Sequence, residues 1–194
     1  MLRKLLLPAI AMTIVLGSAQ SAWAHPNGTS GNFAAGFTHP FLGLDHLLAM
    51  VAVGLLAVRI SGKGLWMMPV TFLASMLLGG VIASAGIQLP GVEAGILASV
   101  LVLGVLVSLA RVLPWAAAGA LVGVFAMFHG HAHAEEMLSG GSFALYAVGF
   151  LLATAILHLS GVLGGLAVSR WIDARAVRFC GGAIAAASLL LMIP

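Results

Sequence analysis

The residues best suited to chemistry gather in two short segments, His39-Pro-Phe-Leu-Gly-Leu-Asp45-His46 and Phe128-His129-Gly-His131-Ala-His133-Ala-Glu135-Glu136. Only 7% of the chain is charged, yet these segments hold three of its five acids and five of its seven histidines. Imidazole with carboxylate is the donor set of a borderline divalent cation such as nickel(II), whereas copper(I) and clustered iron favour sulfur. Cys180 is the single cysteine. An intramolecular disulfide and multi-thiolate zinc or iron–sulfur sites are therefore excluded. Any metal site here is built from nitrogen, oxygen and thioether donors.

Spacing sorts the candidates. On one continuous helix His39 and His46 stand two turns apart on one face, with Met50 a turn deeper. Met50 reads best as core packing. Asp45 lies about a quarter-turn away, where a carboxylate near lipid needs a cation, a donor or water. It reads as a ligand, or as a group that orients His46 or caps a helix. His133 shares a helix face with His129 at i+4, and His131 points the opposite way unless the helix unwinds at Gly130. The metal candidates are His39, Asp45, His46, His129 and Glu135. His25, His131, His133, Glu136 and His158 are candidates for capture or relay. The plain alternative for 129–136 is a hydrated histidine-rich loop. His158 falls inside an apolar run, between Leu157 and Leu159. An ionisable residue there reads as an ion relay or as a donor to a helix carbonyl. Glu93 reads as a helix-start acid and Asp173 as a solvated one.

The elements that position these groups must be helical. Mean hydropathy is +1.17 and 62% of residues are hydrophobic, which excludes an ordinary soluble domain. The expected fold is all-α, a polytopic membrane bundle of six transmembrane helices. Six apolar stretches carry that expectation, near 41–58, 65–85, 92–110, 114–130, 142–168 and 176–193. Lipid offers no partner to an isolated strand, and the stretches lack a barrel's alternation. Pro69 falls in the first turns of the second span and Pro114 at the start of the fourth, where a missing N–H costs least. Gly91/Gly95, Gly119/Gly123 and Gly161/Gly165 have the spacing of close helix packing.

Ahead of the spans, Arg3 and Lys4 precede an apolar Leu5–Leu16 core and a Ser21-Ala22-Trp23-Ala24 cleavage pattern, the marks of a cleavable signal peptide. The alternative is an uncleaved first helix. Cleavage leaves residues 25–194 as one membrane domain beginning at His25, whose free amine and imidazole together can chelate. Arg59 and Lys63, Arg111, and Arg170, Arg175 and Arg178 then alternate with outer loops free of lysine and arginine. That places the chain in a bacterial inner membrane, with its mature N-terminus and both histidine segments on the periplasmic side. The few basic residues are dispersed and no nucleic-acid surface is formed, despite a sequence pI near 9.8.

His39-Pro-x-x-Gly-x-Asp45-His46 together with Phe128-His-Gly-His-Ala-His-Ala-Glu135 resembles the paired motifs of the HupE/UreJ family, hydrogenase- and urease-linked membrane proteins. The signal peptide, the size and the six spans extend the resemblance over essentially the whole chain. It implies uptake of nickel, and in some settings cobalt, from periplasm to cytoplasm for metalloenzyme maturation. It implies roles for His39, Asp45, His46, His129 and Glu135. No enzyme is expected, nor a permanently bound cofactor: nickel or cobalt is the cargo. The expected partners are the ion, the bilayer, the maturation systems and a second copy of the chain in a homo-oligomer. Rival classes are a metal sensor or chaperone without transport, a membrane haem protein and an intramembrane metal hydrolase, though no H-E-x-x-H segment supports the last. No Walker-type phosphate loop is present to supply ATP-driven transport.

Overall fold

The computed structural model describes residues 32–109, 113–137 and 142–193, and side chains outside 135–137. The signal segment, His25, Arg111 and the Glu135 and Glu136 side chains lie outside the described residues. Within them the chain is all-helical: α1 (Phe33–Leu42), α2 (Leu44–Ile60), α3 (Gly64–Ser84), α4 (Val92–Ser108), α5 (Trp115–Met137), α6 (Phe143–Trp171) and α7 (Ala176–Leu191). The bundle is inverted relative to a soluble protein. Trp66, Leu78, Phe179 and Leu190 are exposed, whereas His129, His131, His158, Ser99 and Thr154 are buried. Large apolar residues turned outward all along a bundle require lipid around it. Three helices, Gly64–Ser84, Phe143–Trp171 and the Trp115–Ala134 part of α5, are long and apolar enough to cross a membrane.

Two expectations change. The first apolar stretch is not one helix: α1 and α2 meet at 83°, so at most the bent pair counts as a fourth span. Gly43, extended at φ −89° and ψ 118°, ends one helix and begins the next. Pro40 in the last turn of α1 removes a helix N–H, and glycine is a poor helix former, so the break falls where the sequence weakens the ladder. His39 and His46 are therefore not two turns apart on one face. The second change concerns α5, which runs to Met137 and carries the histidine-rich segment as helix. It does not unwind at Gly130, and the hydrated-loop alternative gives way to three buried histidines. In addition, α4 and α7 have 17 and 16 residues, fewer than the roughly 20 of an untilted span.

Close packing fixes the helices around the histidines. The main pairings are α3 with α5, α4 with α7, and α6 with both α1 and α2. At the α3–α5 crossing a Cβ on Gly130 would fall on the Met76 carbonyl, and one on Gly79 on the Met127 carbonyl. Only glycine permits that approach. At the opposite end of the bundle, Arg59 donates to the Leu109 carbonyl at 2.6 Å and Arg178 to the Ser108 carbonyl at 2.9 Å. Two guanidiniums thus close the C-terminus of α4, where the helix dipole is negative. The described basic loop ends share this pole, and the histidine segments share the other.

Candidate metal centre

The bend at Gly43 sets the first histidine pair. It turns α1 across the start of α2 and brings His39 to His46 with ring centroids 6.2 Å apart. Asp45 sits in the first turn of α2, where backbone N–H groups lack helix partners. Its Oδ1 accepts from the His46 backbone N–H at 2.9 Å and lies 2.9 Å from His46 Nδ1. A carboxylate only accepts, so Nδ1 carries a proton, and in the neutral ring Nε2 is then the nitrogen with the lone pair. Among the described residues that buried Nε2 has no hydrogen-bond partner. A Cβ on Gly43 would stand 2.9 Å from Asp45 Oδ1 and 3.0 Å from His46 Nδ1, so the pairing also needs a glycine.

The second segment supplies a matching imidazole. His129 Nε2 lies 2.9 Å from Ser99 Oγ on α4, and that hydroxyl donates to the Ile96 carbonyl at 2.6 Å. With its one proton so used, Ser99 accepts from His129 Nε2–H. Nδ1 of His129, buried and without a hydrogen-bond partner among the described residues, holds the lone pair. Two rings, on α2 and α5, are thus each fixed in one tautomer by an outer partner. This is how proteins orient imidazole ligands to metals. Their centroids are 4.8 Å apart at 89°. His133, one turn along α5, contacts His46 at 4.4 Å and His39 at 4.5 Å. Four imidazoles therefore form one contiguous group, three of them buried and His39 half-buried at its edge.

Aromatic side chains wall the group. Phe150 of α6 packs on His133 at 4.2 Å, Tyr146 lies 6.3 Å from His39, and Phe72 of α3 lies 5.6 Å from His129. A cleft of about 40 Å³ opens beside His133 between Met76, Gly130, Tyr146 and Phe150. That is room for water-sized species, not for a porphyrin. Among the described residues no three His, Cys, Asp or Glu side chains are already set around one point as in a closed metal cage. The rings pack edge to face instead.

Of the sequence candidates, the structure brings together His39, Asp45, His46, His129 and His133. His131 is placed elsewhere: its Nε2 lies 2.9 Å from the Ile87 carbonyl and 3.2 Å from the Leu89 amide, bracing the turn before α4. His158 lies deeper on α6, its ring edge-on to Phe72 at 4.9 Å. Glu93 is exposed in the first turn of α4, and Asp173 accepts from the Arg175 amide at the start of α7. Sequence reasoning missed Ser99, Gly43 and Phe72. Ser99 carried a signal, as a polar residue within the apolar run Gly95–Val107, but its partner is thirty residues away and visible only in three dimensions.

A histidine group held by Asp45 and Ser99, inside a bundle clad in apolar side chains, defines the class: an all-helical membrane protein with an imidazole cluster in its interior. The comparisons with known proteins make the assignment specific. The family model described as HupE / UreJ protein matches residues 13–191, and the chain belongs to that family. It is 42% identical over 171 residues to Protein HupE of Rhizobium leguminosarum bv. viciae, covering 87% of this chain and 86% of that one. No solved structure matches the chain.

Proposed function

We propose that this chain is a permease that takes up nickel, and in some settings cobalt, from the periplasm into the cytoplasm for hydrogenase or urease maturation. The observation that carries this is the His46–His129 pair. Each ring has one nitrogen engaged by Asp45 or Ser99 and a lone pair on the other, inside a lipid-clad bundle. Imidazole nitrogens with a nearby carboxylate suit a borderline divalent ion. An incompletely formed shell suits a carrier, because a closed cage would hold the ion. Small rotations of His39 and His133 about their side-chain bonds would bring further nitrogens to the ion.

The ion is captured at the periplasmic end, with His25, Glu135 and Glu136 assisting, while His131 braces the turn before α4. It passes to His39, Asp45, His46 and His129, and leaves at the arginine-bearing pole. The chain sits in the inner membrane with six crossings, after a signal peptide of residues 1–24 is removed. The shorter α4 and α7 cross where the bilayer thins or their flanking turns complete the span. The protein is a carrier and not an enzyme, with the ion as cargo and no permanent cofactor.

The test is uptake into vesicles containing the purified protein, comparing nickel, cobalt and zinc, with Asp45→Ala alongside. Saturable nickel entry, lost in Asp45→Ala, is expected. No entry of any of the three ions, with tight binding retained, would replace the permease with a sensor or chaperone.

A further inference from the structure

Thr154 and His158 stand one turn apart in the middle of α6, and both are buried. Neither Thr154 Oγ1 nor either ring nitrogen of His158 has a hydrogen-bond partner among the described residues. Most hydroxyls with a recorded partner on these helices fold back onto their own backbone; Ser188 of α7 shares with Thr154 the lack of one but has no histidine a turn away. Ser99 donates to Ile96, Ser108 to Val105, Ser160 to Leu157 and Thr38 to Ala34. That is the ordinary resting place of a hydroxyl on a helix in lipid. Thr154 does not take it. Nor does His158 donate to a helix carbonyl, which would be the structural use of a buried imidazole.

Their position is as informative as their chemistry. Tyr146, Phe150, Thr154 and His158 recur every four residues and form one buried stripe on α6. The stripe begins at the outer histidines, since Tyr146 contacts His39 and Phe150 contacts both His39 and His133. Thr154 lies about 6 Å, and His158 about 12 Å, further along the helix than Phe150. A second approach comes from α5, because one side chain, Phe72, touches both His129 and His158. Opposite, Gly54 of α2 packs against the His158 backbone and keeps the space beside it narrow.

We propose, resting on the carrier function above, that Thr154 and His158 form an inner transit site for the divalent cation between the outer histidine group and the arginine-bearing pole. The hydroxyl oxygen and one imidazole lone pair are neutral donors suited to nickel(II) or cobalt(II). Two such donors hold an ion far more loosely than four imidazoles with a carboxylate. Loose binding is what an intermediate step needs if the ion is to move on. Thr154 meets the ion as it leaves His133, and His158 carries it past Phe72.

The test uses full-length protein with Ni²⁺ alone, by equilibrium dialysis in detergent and by uptake into phosphatidylcholine–phosphatidylglycerol vesicles. Wild type binds a tighter and a weaker equivalent of Ni²⁺. His158→Gln loses the weaker one and keeps the tighter, and its maximal uptake falls about tenfold at unchanged half-saturation. Thr154→Val acts in the same direction, and Thr154→Ser restores both binding and rate. A packing role would not distinguish Ser from Val in this way, and this pair decides the matter if His158→Gln does not fold. A weaker equivalent absent from wild type, or retained in both His158→Gln and Thr154→Val, overturns the inner site whatever the transport result. Loss of that equivalent in a protein whose wild type moves no nickel would uphold the inner site and remove the carrier function.

Discussion

Asp45 and Ser99 do the same work on different helices. Each takes the proton-bearing nitrogen of one histidine, so that the other nitrogen faces its neighbours with a lone pair. Outer partners of this kind typically alter metal affinity by 10- to 100-fold when removed. Ser99→Ala leaves His129 in place but frees its tautomer, in a pocket with no other partner for Nε2 among the described residues. Its half-saturating nickel concentration in vesicle uptake should rise about tenfold, with the protein still folded. Unchanged uptake would mean that His129 takes no part in holding the ion.

Among the elements, the break between α1 and α2 matters most. A straight helix would carry His39 away from His133, whereas the 83° bend lays it against that ring. Gly43 serves twice, as the point of low helix propensity and as the gap into which Asp45 and His46 close. Gly43→Ala favours continuous helix by about 1 kcal/mol and places a methyl against both partners. Nickel uptake should fall at least about tenfold while helix content by circular dichroism stays level or rises. Uptake at the wild-type rate would show that the ion does not depend on the Asp45–His46 pairing.

The molecule as a whole has two unlike poles joined by an apolar flank. One pole gathers His39, His46, His129 and His133. The other gathers Arg59 and Arg178 on the end of α4. Among the described residues lysine and arginine gather at one end only, the charge asymmetry of a membrane protein. In a Cys180→Ser background, single cysteines at Gly62 and Gln88 should react with an impermeant thiol reagent from opposite faces of the membrane. Reaction of both from the same face would mean that α3 does not cross.

Composition, helix positions and the chemical character of the two segments were open to reading from the sequence, because each depends on residues close together in the chain. The helices at Gly64–Ser84, Val92–Ser108, Phe143–Trp171 and Ala176–Leu191 begin and end within a few residues of the apolar stretches that announce them. Family membership was legible for the same reason, since its motifs are local strings. The bend at Gly43 was not, although Pro40 and Gly43 both weaken the helix, because a membrane helix tolerates such residues whenever its neighbours satisfy the freed backbone. Which histidines meet was beyond any local pattern. His39 reaches His133 because α1 folds over α2 at Gly43, and Ser99 reaches His129 because α4 packs beside α5, where a Cβ on Gly95 would meet the Phe128 ring. Sequence by itself determined that this is a helical membrane protein bearing imidazole and carboxylate. Tertiary structure alone decided which lone pairs point inward, because a tautomer is set by a partner that can come from any helix.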